Sequence, residues 1–172
     1  MTDSQTDLRA RFLEAMSRAA STVSVVTTDG PAGREGVTVS AMTSVSADGP
    51  APTMLVCIHH ESRAAPAILG NGRFCINFLR EDQSRIADIF SRRVPAPGGD
   101  RFAAAEFVAM PGGAPRLSHP LAAFDCRVIS AERVGTHHVF IGEVGEVFVG
   151  AGRPLLYGNR EYQRPLPRDE SG

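Results

Sequence analysis

The chain has 172 residues, 42% of them apolar, and a net charge of -1, enough for one domain with a sizeable core. Its long basic residues are all arginines, but no run of like charge exceeds a few residues, so neither nucleic acid nor a membrane surface is an expected partner. Three separated cysteines, Cys57, Cys75 and Cys126, form no Cys-x-x-Cys pair and predict reduced thiols in a cytoplasmic protein. The first residues lack the basic and apolar regions of a secretion signal, and no apolar segment reaches membrane-spanning length.

Leu8, Phe12, Leu13 and Met16 recur at helical spacing and predict an amphipathic helix over 7–20. Residues 22–28 are a β-branched strand stopped by Asp29-Gly30-Pro31-Ala32-Gly33. The stretch 36–46 then carries hydroxyls at nearly every second position. Read as one strand, it sets Thr38, Ser40, Met42, Ser44 and Ser46 on one face and Val37, Val39, Ala41, Thr43 and Val45 on the other. Such a hydroxyl face is either simply solvated or suited to hydrogen-bond a polar or phosphorylated ligand.

Residues 53–59 form a near-continuous apolar run that predicts a strand buried on both faces. Ser62 is a candidate N-cap for a helix through 69, closed by Gly70-Asn71-Gly72, and 73–79 reads as the next strand. Asp82 is placed to cap a helix carrying Ile86, Ile89 and Phe90. From 91 to 120 glycines and prolines loosen the pattern, as in a lid or binding loop. Two long antiparallel strands, 122–133 and 137–149, follow around Val134-Gly135-Thr136; 154–157 is a short closing strand, and 165–172 reads as a frayed tail beyond a single domain over 1–164. Many strands with breakers between them favour a mainly β, antiparallel, barrel-like fold with peripheral helices over βαβ units.

No Gly-x-Gly-x-x-Gly follows a strand, and there is no phosphate-binding P-loop and no Gly-x-Ser-x-Gly elbow. The pairs His59-His60 and His137-His138 would point to opposite strand faces, so no metal site is expected. His137 opens a strand just after Gly135. It is either a solvated turn residue or a ring at a barrel rim that meets a ligand. Ser62 and Arg63 have an ordinary surface reading too, but a helix start carrying both is also a ready phosphate site.

The ordered set of Gly36 to Ser46, Pro52 to Cys57, Arg73 to Leu79, Asp100-Arg101-Phe102, Gly135 to Val144 and Pro154-Leu155-Leu156-Tyr157 resembles the short-chain flavin reductases, the NAD(P)H-dependent partners of two-component flavin monooxygenases. The resemblance implies an FMN-binding split β-barrel that forms a homodimer with flavin near the subunit interface. It implies hydride transfer from NADH or NADPH to FMN or FAD, and delivery of reduced flavin to a monooxygenase. It places Thr38, Val39, Ser40, Ala41, Ser44, Val45, Ser46, Cys57 and Asn77 on the flavin, Ser62 and Arg63 near its phosphate, and His137 at the nicotinamide as the catalytic residue. Thr136 departs from the aspartate of many relatives, which bears on how His137 is oriented, and Gly158-Asn159-Arg160 is also less typical. A flavin-storage or electron-transfer protein on the same barrel is the alternative.

Overall fold

The alternating and β-branched runs assemble around one dominant sheet. The computed structural model describes residues 3–166. Helix α1 (Asp3–Ser17) precedes strands β1 (Ser21–Thr22), β2 (Ser24–Thr28), β3 (Glu35–Val39), β4 (Met42–Ser46) and β5 (Thr53–His59). Helix α2 (Ala64–Asn71), strand β6 (Arg73–Phe78) and helix α3 (Ser84–Phe90) follow. After two 3-10 turns, Pro97–Gly99 and Arg101–Ala104, come the hairpin β7 (Phe107–Ala109) and β8 (Pro115–Leu117), and the long strands β9 (Ala122–Val134) and β10 (His137–Val149). A last hairpin pairs β11 (Leu156–Gly158) with β12 (Glu161–Gln163).

Seven strands form an antiparallel sheet in the order β3-β2-β6-β9-β10-β5-β4. Its two edge strands, β3 and β4, are consecutive in the chain and separated only by Ser40 and Ala41. Since the three residue steps from Val39 to Met42 span at most about 11 Å, the sheet must curl until its edges come close. They do not pair with each other, so the barrel stays split along that seam. Val26, Val56, Phe74, Ile76 and Phe140 fill the interior, and α2 adds Ala64, Ala65 and Ile68 to the same core. A second core outside the barrel joins Val25, Leu79, Phe90, Leu117 and Leu155 under α3 and the 91–120 segment. Gly36 permits this second contact: a Cβ there would lie 2.7 Å from the Phe90 ring. Gly142 does the same inside the barrel, where a Cβ would lie 2.5 Å from Phe74.

Several expectations are corrected. The single hydroxyl strand over 36–46 is two strands, and the crossing at Ser40-Ala41 destroys its common face. Thr38 is paired with Val25 and lies on the α3 side, whereas Met42 is paired with Val56 and packs against the barrel interior. A bulge at Val45 changes the parity again before Ser46. β5 buries only Met54, Val56 and Ile58; Leu55 and Cys57 on its outer face are half-buried. Asp82 does not cap α3, because its carboxylate is paired with Arg80 at 2.8 Å. The 91–120 segment is folded onto the second core rather than loose. The strand β12 went unread because Glu161-Tyr162-Gln163 offers a single apolar residue, and the expected tail lies outside the described residues from 167 onward.

Asn77 is fully buried between β2 and the β7–β8 hairpin. Its Nδ2 donates to the Val25 carbonyl (3.0 Å) and Thr27 Oγ1 (3.2 Å), and its Oδ1 accepts from the Leu117 amide (2.8 Å). Replacing it strands buried backbone groups, so Asn77→Ala should lower stability by about 2–4 kcal/mol in urea unfolding. A variant as stable as the parent would return Asn77 to the set of ligand-contacting candidates.

Candidate functional site

The rim of the barrel is organised by the pairing of β5 with β10, which sets His137 directly opposite His59 on the outer face. Their rings meet edge-on at 5.1 Å, and His60 stacks on His59 at 4.9 Å. The Thr136 hydroxyl lies 3.0 Å from His137 Nδ1, filling the place expected for an aspartate. The His60 amide donates to the Thr136 carbonyl (2.9 Å), the Glu61 amide to His59 Nδ1 (3.3 Å) and the Ser62 amide to the His59 carbonyl (2.9 Å). These bonds fold the chain back at the rim and deliver Ser62 and Arg63 to the start of α2. Ser62 Oγ accepts from the Ala64 amide at 3.3 Å; the Arg63 side chain makes no hydrogen bond or ion pair among the described residues.

The seam lies beside this rim. The Ala41 carbonyl accepts from the Cys57 amide at 2.9 Å, so the link between β3 and β4 is pinned to β5. Ser40, Ala41, Ser44 and Val45 are exposed, and the Ser40 and Ser44 hydroxyls have no partner among the described residues. Ser46 opposes Thr53 on the outer face, four residues along β5 from Cys57, or about 13 Å at strand rise. The structure therefore brings Ala41, Ser46, Cys57, Ser62, Arg63 and His137 to one flank, with Ser40, Ser44 and Val45 along its edge. Between them Leu55, Cys57, Val139 and Ile141 make a half-buried apolar floor. Three predicted residues are elsewhere. Thr38 gives its hydroxyl to the Ala87 carbonyl (2.7 Å), Val39 is in the barrel core, and Asn77 is spent on backbone.

An apolar floor, unpaired hydroxyls and edge-strand backbone at one side, and a cationic helix start at the other, fit a planar polar ring carrying a phosphate. A domain family described as "Flavin reductase like domain" matches residues 16–165. The chain belongs to the flavin reductase-like family. The FMN reductase (NADH) RutF of Methylorubrum extorquens is 46% identical over 160 residues, which cover 92% of this chain and 76% of that protein. The styrene monooxygenase flavin reductase of Pseudomonas putida superposes with a TM-score of 0.80 at 29% identity, covering 91% of this chain and 99% of the other. An NADH:FAD oxidoreductase of Streptomyces globisporus superposes with a TM-score of 0.82 at 25% identity, covering 92% and 94%. The split barrel expected from the sequence is the fold of this family member.

Sequence reading missed two parts of the flank. His59 became visible as a neighbour of His137 only through the β5–β10 register. Arg34, Arg92 and Arg93, scattered along the chain, join Arg63 and Arg101 around a cleft of about 690 Å3; no local motif announces them.

Partial desolvation first, and then the charges of His59 and His60, hold the His137 imidazole below its ordinary value. A histidine whose folded pKa is depressed resists protonation in the folded chain, so its contribution to stability is lost as pH falls below about 6.5. By NMR titration His137 should show a midpoint below that of a free imidazole, and His59→Asn should move it upward. A midpoint that does not respond would mean that the two rings are uncoupled.

Proposed function

We propose that this chain is an NADH:FMN oxidoreductase that supplies reduced flavin to a flavin-dependent monooxygenase. The observation that carries the reading is the placement of His137, the apolar floor and the Ser62-Arg63 helix start on one barrel flank, in a chain whose relatives include an FMN reductase (NADH) and a monooxygenase flavin reductase. The dinucleotide supplies a hydride and the flavin accepts it. The protein's share is to hold two rings face to face at reactive distance.

The residues are suited to that task. In the tautomer in which the Thr136 hydroxyl donates to Nδ1, a neutral His137 carries its proton on Nε2 and presents it as a donor. Arg63 and the first amides of α2 attract the flavin phosphate, and Ser40, Ser44 and the free edge of β4 offer hydrogen bonds to the ring. Because this edge is open, flavin can leave after reduction, as transfer to a second enzyme requires.

A second copy of the chain completes the site in this reading. Val45 (52% exposed) and Ile129 (46%) border the apolar floor, and Leu8 (68%), Phe12 (61%) and Met16 (54%) form an uncovered stripe on α1. A homodimer would bury such surface and exclude water from the ring stack. The reading also takes 1–164 as one domain and the cytoplasm as its place of work, where three free thiols stay reduced. Among the described residues no helix is long and apolar enough to cross a membrane.

NADH consumption followed at 340 nm should be rapid and should depend on added FMN, with NADPH slower. No oxidation above the enzyme-free blank would sink the reductase function. In the same assay His137→Ala should raise the NADH KM or lower the hydride-transfer rate by about tenfold, the scale of one lost hydrogen bond, while moving the FMN Kd less. Equal single-turnover rates would remove His137 from the reaction.

A further inference from the structure

The cleft of about 690 Å3 lies between the start of β3, the start of α2 and the chain that follows α3, and is lined by Arg34, Arg63, Arg92, Arg93 and Arg101. Only two carboxylates, Glu35 and Asp100, line it with them, a local surplus of three positive charges on a chain whose net charge is -1. Both carboxylates are committed. Glu35 pairs with Arg101 at 2.5 Å, and Asp100 Oδ1 accepts from the Phe102 amide at 2.9 Å. Arg93 is held too, donating to the Tyr157 hydroxyl at 3.2 Å.

The remaining arginines are held loosely or not at all. Arg63 and Arg92 make no side-chain hydrogen bond or ion pair among the described residues. Arg92 also keeps a left-handed backbone, φ 64°, which a residue of its size adopts only at a cost. Arg34 lies over the Phe102 ring, 4.0 Å from its centroid, and its one ion pair, to Asp29, is long at 3.8 Å and exposed. The cleft therefore presents two unpaired guanidinium forks beside a flat stack of arginine on phenylalanine. Forked guanidiniums match phosphate oxygens, and flat cationic or aromatic surfaces stack nucleobases. The volume is far beyond the need of one phosphate and suits a ligand of nucleotide size.

We propose that this cleft binds the ADP half of a dinucleotide, with the diphosphate at Arg63 and Arg92 and the adenine against the Arg34–Phe102 stack. The inference rests on the reductase reading for its two possible ligands, FAD and NADH, which share that half. Arg63 then stands where the flavin site and the cleft meet, and the FMN portion of FAD or the nicotinamide of NADH reaches the His137 flank from there.

The test is calorimetric titration of the full-length protein with ADP, for the parent, Arg92→Asn and Arg34→Gln. Asparagine tolerates the left-handed backbone, and both arginine side chains are exposed, so both variants should fold. ADP should bind the parent, more weakly as salt rises, and each variant should lose about tenfold in affinity. Two ratios identify the source: the Kd of FAD over that of FMN, and the KM of NADH over that of reduced nicotinamide mononucleotide. In the variants the first should rise if the ADP half is that of FAD, the second if it is that of NADH. Absence of ADP binding, equal ADP affinity in parent and variants, or loss of ADP binding with both ratios unmoved would overturn the assignment. ADP binding needs no turnover: a protein that binds ADP as expected but does not oxidise NADH overturns the reductase reading alone, and normal turnover without ADP binding overturns this one alone.

Discussion

Ser40 and Ala41 are all that separates strands at opposite edges of a seven-stranded sheet. That short tether makes the sheet curl, and most of the architecture follows from the curl. An enclosed interior appears for Val56, Phe74 and Phe140 to fill, and α2 can set Ala64 and Ile68 into it. A convex outer face is left for Leu55, Cys57 and His137. The two edges approach without pairing, so the tether itself becomes exposed backbone beside that face, anchored by one hydrogen bond from Cys57 to Ala41. The candidate site is built beside a seam where two strand edges of the sheet come close without completing each other's hydrogen bonding.

Local pattern foretold the elements whose signal is local. The 53–59 run became β5 with those bounds, and the breaker Val134-Gly135-Thr136 lies at the turn between β9 and β10. Gly72 closes α2 in the left-handed conformation expected of a terminal glycine. The stretch 36–46 misled because strand parity holds only within one strand. Nothing in its alternating hydroxyls marks a jump between sheet edges, and only the partners, Val25 for Thr38 and Val56 for Met42, reveal it. Asp82 misled for a different reason: a guanidinium two residues away competes with the helix amides for its carboxylate.

The site was partly legible. His137, Ser62 and Arg63 stood out because a turn glycine and a helix start are short-range features, and the family resemblance joined them. Asn77 lies in a stretch carried over by that resemblance, yet its amide serves the backbone of β2 and the β8 strand. The arginine cleft and the His59–His137 contact draw on residues separated by up to 78 positions, from His59 to His137. Such gatherings depend on register and strand order, which composition and spacing do not encode.

The strand order also governs when the flank can exist during synthesis. β2 with β3 and β4 with β5 are hairpins of neighbouring segments, but they share no hydrogen bond, and they join one sheet only through β6, β9 and β10. A nascent chain that has not yet delivered β10 holds two separate hairpins, with His59 lacking its partner and the apolar side of β5 unpaired. Long-range pairing of this kind is slow and leaves strand edges open while it waits. The binding surface is thus among the last features to form, assembled only after residue 137 and its strand have left the ribosome.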